Sequence, residues 1–250
     1  MKESVYIGQN KTGLGVAPRF AREMLDNQDD EFKLIAQAED DPFPTLTHED
    51  IKQEYIREWG DIGSVPPPAS LKGMAVSGIQ KLTGGHPEVL IDKIGERLAF
   101  ERSGARLYEA FILKCETVLP DSSLSFLHDI YIEEVRHFQL LNEAIKRLGG
   151  DPTAVTPCAD VAAVIGKGLV AVVNDPRTNI AQSAHAVLAA ELLDNDGWDM
   201  LIRLTDEAGL QDMRDDFQEA KEAEDRHLKE VRNWLTELVV SNKVVRHQRH

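Results

Sequence analysis

The chain has 250 residues, 42% of them apolar and 28% charged, enough to bury one full-sized core. Its formal net charge of −15 excludes nucleic acid and anionic membrane as principal partners, because both demand cationic surface. Only two cysteines occur, Cys115 and Cys158, and no C-x-x-C, which excludes a disulfide scaffold, a cysteine-held zinc and a single-chain iron–sulfur centre.

Residues 1 to 87 are punctuated by Pro and Gly in "GLGVAP", "DDPFPT", "GSVPPPAS" and "TGGHP". The opening "MKESVYIGQNKTG" lacks the apolar stretch of a secretory signal, so the expectation is a cytoplasmic, reduced, soluble protein. One short helix is expected in "PRFAREMLDN". Another is expected in "THEDIKQEYIREWG", capped by Thr47, with Asp50 three residues on and Gly60 as its stop. Too few apolar residues are present for an independent core. Residues 1–87 therefore read as an arm with short helices, laid over the main body or a neighbouring subunit.

Four long segments of helical periodicity follow, over about 88 to 117, 122 to 148, 178 to 208 and 211 to 240. The first carries Ile94, Leu98, Glu101, Ala105, Tyr108 and Ile112 on one stripe, and Pro120 ends it. "DSS" offers caps for the second, whose stripe holds Leu127, Ile130, Glu134, His137, Leu141 and Ile145 before "GGDP". The third starts near "DPRTN" and stops at Gly209; the fourth aligns Phe217, Glu224, His227, Val231, Trp234 and Leu238. Short loops pair the first two segments and the last two as antiparallel hairpins. About 30 residues separate the hairpins and include the apolar run "VAAVIGKGLVAVV" at 161 to 173, too short to span a bilayer and read as a buried or interfacial helix. Residues 241–250, with His247 and His250, read as a C-terminal tail. Two hairpins and one long crossover predict an all-α, ferritin-like four-helix bundle over 88–240, preceded by the N-terminal extension.

The bundle carries an internal repeat. "LAFE" at 98–101 returns as "LAAE" at 188–191, and "EVRH" at 134–137 as "EDRH" at 224–227. One offset of 90 residues relates Glu101 to Glu191, Glu134 to Glu224 and His137 to His227, and pairs Tyr108 with Trp198. Within each half, 33 residues separate the lone glutamate from the glutamate of E-x-x-H. A helix of about 15 residues out, a turn of about three and about 15 back return the chain to its starting height. Each pair of glutamates thus faces across its hairpin, and each histidine, three residues on, joins its glutamate's face.

Four carboxylates and two imidazoles would then converge in a bundle core. Unpaired, the carboxylates would repel one another and be forced to take up protons. Two divalent cations balance four glutamates and two neutral histidines, and mixed carboxylate and imidazole ligation suits iron or manganese.

These residues resemble the ferritin-like di-iron carboxylate superfamily, which includes the bacterioferritins and rubrerythrins. The resemblance implies that Glu134 and Glu224 bridge two metals, with Glu101 and His137, and Glu191 and His227, as terminal ligands. It also implies two iron ions, or manganese as in some members, and an oxidoreductase whose reduced centre reacts with O2 or peroxide. The alternative is an iron-handling ferroxidase with no organic substrate, and a third reading keeps the metal for stability alone. No rubredoxin-like four-cysteine site is present, so electrons must come from an external donor or from the substrate. The long arm and crossover depart from storage ferritins, and a homo-oligomer as small as a dimer is expected rather than a 24-subunit cage.

Six further positions are singled out. Asp194, three residues after Glu191, lies where rubrerythrin-like sites place an extra carboxylate; it is either a seventh ligand or a proton carrier, with a supporting or exposed acid as the alternative. Tyr108 and Tyr131 could hydrogen-bond a ligand or the oxidant, with core packing as the alternative. Glu133 is read as a solvated neighbour of Glu134. Arg136 and Arg226, inside the two E-x-R-H units, are expected to point outward toward acids of neighbouring helices.

Overall fold

The computed structural model describes residues 48–58, 60–66 and 87–240. The chain divides into two units, Met1–Ser64 and Val65–His250. In the first, α1 (His48–Glu58) coincides with the helix expected in "THEDIKQEYIREWG". Its Thr47 cap, the helix expected in "PRFAREMLDN", most of the arm, and the tail with His247 and His250 lie outside the described residues.

In the second unit the described helices are α2 (Pro87–Glu116), α3 (Ser125–Arg147), α4 (Pro157–Asn174), α5 (Ile180–Glu207) and α6 (Gln211–Val240). Where "DSS" was expected to cap α3 directly, Asp121–Ser123 instead forms a 3₁₀ turn, and α3 starts two residues later with no side-chain cap. The tighter turn swings Leu124 fully into the core, which offsets the missing cap. Both α3 and α5 end at a glycine with positive φ, Gly149 (80°) and Gly209 (68°). There Gly150 N–H reaches back to Ile145 O, and Leu210 N–H to Thr205 O, each at 2.9 Å, so the last-turn carbonyls are satisfied.

Helices α2 and α3 pack as one antiparallel hairpin, and α5 and α6 as the other. Arg147 meets Asp216, and Glu133 meets Arg226, so α3 and α6 also run antiparallel. The crossover carries α4, which lies along α2 in the same direction. Thr156 and Cys158 bond to Asp92, Gly166 rests on Ser103, and the chain just after α4 receives Lys114 from the far end of α2. Thr156 caps α4 with Pro157 at its first position, and Asn179 and Gln182 form a reciprocal capping box at the start of α5. The buried face of α4 is narrow and small (Ala159, Ala162, Gly166, Val173), so the helix approaches α2 closely and leaves Val164, Ile165 and Val172 exposed. Two antiparallel hairpins joined by one long crossover are the ferritin-like bundle topology.

The core is layered along the bundle axis. One apolar cluster gathers Leu90, Ile94, Leu98, Leu141, Ile145, Leu201 and Phe217; the other gathers Leu107, Phe111, Leu127, Ile130, Val187 and Val231. In each long helix the sequence passes from one cluster to the other through a polar segment. These segments, at 101, 134–137, 191–195 and 224–227, place one charged layer between two hydrophobic ones.

Candidate metal centre

All six residues of the repeated set lie in that layer, and each is buried: Glu101 (0% exposed), Glu134 (1%), His137 (6%), Glu191 (2%), Glu224 (0%) and His227 (1%). Their donor atoms form two groups of four. Glu101, Glu134, His137 and Glu224 make the first, and Glu134, Glu191, Glu224 and His227 the second, with every donor atom within 4.8 Å of the others in its group. Glu134 and Glu224 belong to both.

The atoms that face one another are those that lack well-formed hydrogen bonds. Glu101 Oε2, Glu134 Oε1, His137 Nδ1, Glu191 Oε2, both Glu224 oxygens and His227 Nδ1 are buried without a hydrogen-bond partner. His137 Nδ1 lies 2.6 Å from Glu224 Oε1, and His227 Nδ1 lies 3.3 Å from Glu224 Oε2 and 3.7 Å from Glu134 Oε1. So many unpaired buried donor atoms aimed at one space is the condition a bound cation relieves.

The outward atoms are held. Trp198 donates its indole N–H to Glu101 Oε1 at 3.0 Å, and Tyr108 donates its hydroxyl to Glu191 Oε1. The pair related by the 90-residue offset therefore crosses over, each aromatic fixing the lone glutamate of the other half. Glu133 Oε2 lies 2.5 Å from His227 Nε2, while Glu133 Oε1 accepts from Arg226 at 3.2 Å. Glu133, read from the sequence as a solvated neighbour, is instead only partly exposed and braces a histidine. Arg226 does reach an acid on a neighbouring helix, as expected. Asn195 donates to the backbone carbonyls of Glu191 and Glu224, at 3.0 and 3.1 Å, tying α5 to α6 beside the cage.

Asp194 is buried but stands outside both four-residue groups. Its carboxylate pairs with Arg97 at 3.1 Å, and Arg97, also buried, lies 3.8 Å from Glu101 and stacks over Phe100. Gly197 leaves the space that Arg97 occupies, since a Cβ there would collide with the guanidinium. Gly104 does the same for the Glu134 carboxylate. Tyr131 is half-buried and lines a surface groove with Arg106, Glu109, His128 and Val170; no hydrogen bond joins it to the six. Trp198 and Arg97 were not assigned roles from sequence. The 90-residue pairing of Tyr108 with Trp198 was the signal for the first, and nothing local marks the second.

Electrostatics inside the cage follow from burial. Burial, then the charges of Asp194 and Glu224, push the Glu101 carboxyl well above the ordinary range. Burial and the surrounding carboxylates do the same to Glu134, and burial and Glu224 to Glu191. Glu224 is the exception: burial raises it, but both imidazoles outweigh that and hold it down to about 2. His227 is depressed by burial yet pushed up to about 9 by Glu224, Glu191 and Glu133. Burial and Glu191 keep the Tyr108 hydroxyl protonated far into the alkaline range. Metal-free, the cage must hold extra protons to balance its charge, and these are what cations would displace.

No protein-family model matches the chain, and no curated protein matches it. Among solved structures it is similar to one described as a ferritin-like, diiron-carboxylate protein from Bacillus anthracis str. Ames, with 18% identity and a TM-score of 0.46. The match covers 60% of this chain and 96% of that one.

Proposed function

We propose that this chain binds two iron ions, with manganese as the substitute, and that the reduced pair reacts with O2 or peroxide. The observation that carries the reading is the pair of four-donor groups sharing Glu134 and Glu224. Glu101 and His137 would hold one ion at its outer side, Glu191 and His227 the other, and the two shared carboxylates would lie between them. Each ion would meet four protein donors of mixed carboxylate and imidazole type, a set that suits iron or manganese. A pair of such ions supplies electrons to a small oxidant when reduced.

The chain's own residues prepare the site for this. Trp198 engages one oxygen of Glu101 and Tyr108 one of Glu191, leaving Oε2 of each buried without a hydrogen-bond partner. Glu224, which keeps its charge because both histidines face it, provides the fixed anion around which the cage is organised. The apolar clusters above and below exclude bulk water, which strengthens every charge interaction in the layer. Tyr108 Oη holds a proton against Glu191 Oε1 at the cage wall. Cys115 takes no part as a reductant: it is fully buried in the apolar cluster and its thiol is pushed up to about 12. Electrons for a second turnover must then enter from an external donor or from the substrate.

Anaerobic titration of the metal-free chain with Fe(II) tests both halves of the proposal. Uptake should stop near two ions per chain, and Glu134→Ala should abolish that stoichiometry; unchanged metal content in the variant would sink the assignment. Mixing the reduced, loaded protein with O2 or peroxide should change its optical spectrum while consuming oxidant. A silent spectrum would leave the ions a structural role, and aerobic loading to tens of ions per subunit would mark an iron store.

A further inference from the structure

The repeat that builds the cage is broken in its surroundings, and the breaks are not random. Moving 90 residues along the chain, Glu133 becomes Ala223, Arg97 becomes Val187 and Asp194 corresponds to Gly104. Behind His227, therefore, stands a carboxylate 2.5 Å from Nε2, itself anchored by Arg226. Behind His137 the repeat offers only the methyl group of Ala223, and no protein hydrogen bond to His137 Nε2 is formed among the described residues. Beside Glu101 lies the Arg97 guanidinium at 3.8 Å, whereas the matching place beside Glu191 holds the uncharged Val187.

One of these breaks has a definite direction. A carboxylate that accepts the outer N–H of an imidazole fixes its tautomer, leaves the inner nitrogen lone pair for a metal, and makes that nitrogen a stronger donor. Glu133 does this for His227 alone. A guanidinium near a terminal carboxylate repels an arriving cation and competes for its ligand. Arg97 lies beside Glu101 alone, but Asp194 pairs with it and brings a negative charge to the same place, so this ion pair distinguishes the two halves without setting which one binds a cation more tightly.

Resting on the two-metal reading above, we infer that the two positions are inequivalent by construction. The position formed by Glu191 and His227 fills first and holds its ion more tightly, and Glu133 is the positioning residue that makes it so. The chain thus stores, in one dyad that involves a residue outside the repeated set, a loading order that the six symmetric residues could not specify.

Anaerobic calorimetric titration of the metal-free full chain with Co(II), followed also by the cobalt ligand-field absorption, tests the inference. Wild type should take up two ions in two resolved steps. Glu191→Gln should remove the tight step and Glu101→Gln the weak one. Glu133→Gln, at a partly exposed side chain, should weaken the tight step by about ten- to a hundred-fold with the weak step unchanged, and Glu133→Asp should recover part of the loss. Far-UV circular dichroism of the metal-free variants should match wild type. Two equal steps in wild type, or a Glu133→Gln protein that loses both steps alike or neither, would overturn the inequivalence while leaving the two-metal reading standing. Uptake of fewer than two Co(II) ions by wild type would instead strike the two-metal reading itself, and the inference with it.

Discussion

The two hairpins of the bundle carry the same six-residue pattern yet do different physical work. The α2–α3 hairpin supplies the scaffolding asymmetries: Arg97 with its cation, Glu133 with its brace on His227, Gly104 making room for Glu134. The α5–α6 hairpin supplies the matching receptors, namely Asp194 and Gly197 for Arg97 and His227 for Glu133. Only the aromatic donors are exchanged evenly, Tyr108 to Glu191 and Trp198 to Glu101. A duplicated ligand set thus fixes where charge accumulates, while unduplicated neighbours decide how each half tolerates it.

The largest expected effect belongs to what the halves share. Glu101, Glu134 and Glu191 have folded-state affinities for protons raised above the ordinary 4.5, so their contribution to stability is complete below that value and is lost as pH rises through the raised ones. His227, raised from 6.5 to about 9, likewise contributes fully below 6.5 and loses that contribution through 9. Glu224 acts oppositely, contributing above 4.5 and losing it toward 2. Between about pH 5 and 9 the first groups govern, and the melting temperature of chelator-treated protein should fall as pH rises. Metal-loaded protein should not follow that fall, because cations replace the protons. A metal-free melting temperature that climbs over this window would show that the shared cage is not the charged layer described.

A smaller effect separates the halves. Arg97→Met leaves Asp194 buried without its cation, and breaking a buried pair in this way costs about 4 kcal/mol. Asp194 is itself raised to about 6 by burial with Arg97 still opposing the rise, so without Arg97 it takes a proton more readily. The deficit of Arg97→Met should therefore be smaller at pH 5 than at pH 8 in chemical denaturation. Val187→Ala, at the matching place in the other half, removes only apolar contact and should cost the same at both values. Equal pH dependence in the two variants would erase the distinction.

Legibility followed the same division. Periodicity, "GGDP" and Gly209 placed four helices within a few residues of their observed ends, because apolar stripes and glycine stops are local properties. The 90-residue offset singled out the six residues that the fold brings together, because duplication writes itself twice in one chain. What did not show was the identity of the partners in contacts that occur once. Glu133 on α3 meets His227 on α6, and Arg97 on α2 meets Asp194 on α5; both depend on how hairpins are rotated about their axes, which spacing within a helix does not set. The 3₁₀ turn at Asp121–Ser123 was hidden for a related reason, since burying Leu124 is a tertiary gain that outweighs local capping chemistry.

The smallest effect probes the one feature the halves exchange symmetrically. Tyr108→Phe keeps the ring in its apolar cluster and removes only the hydroxyl, leaving Glu191 Oε1 without its donor at a cost of about 1 kcal/mol. Trp198→Phe removes both the indole N–H on Glu101 and ring volume packed edge-on against His137 and Phe217, so it should cost more than its partner. Because the two donors act on different carboxylates, the double variant should lose close to the sum of the single losses in metal-loaded protein, where each carboxylate is fixed by its own ion. In metal-free protein the carboxylates face each other only across Glu134 and Glu224, and freeing one lets protons redistribute to the other. A coupling energy near zero with metal and measurably larger without it is the expected pattern in thermal denaturation. Strong coupling in both states would mean that Tyr108 and Trp198 serve a single rigid network rather than one donor for each half.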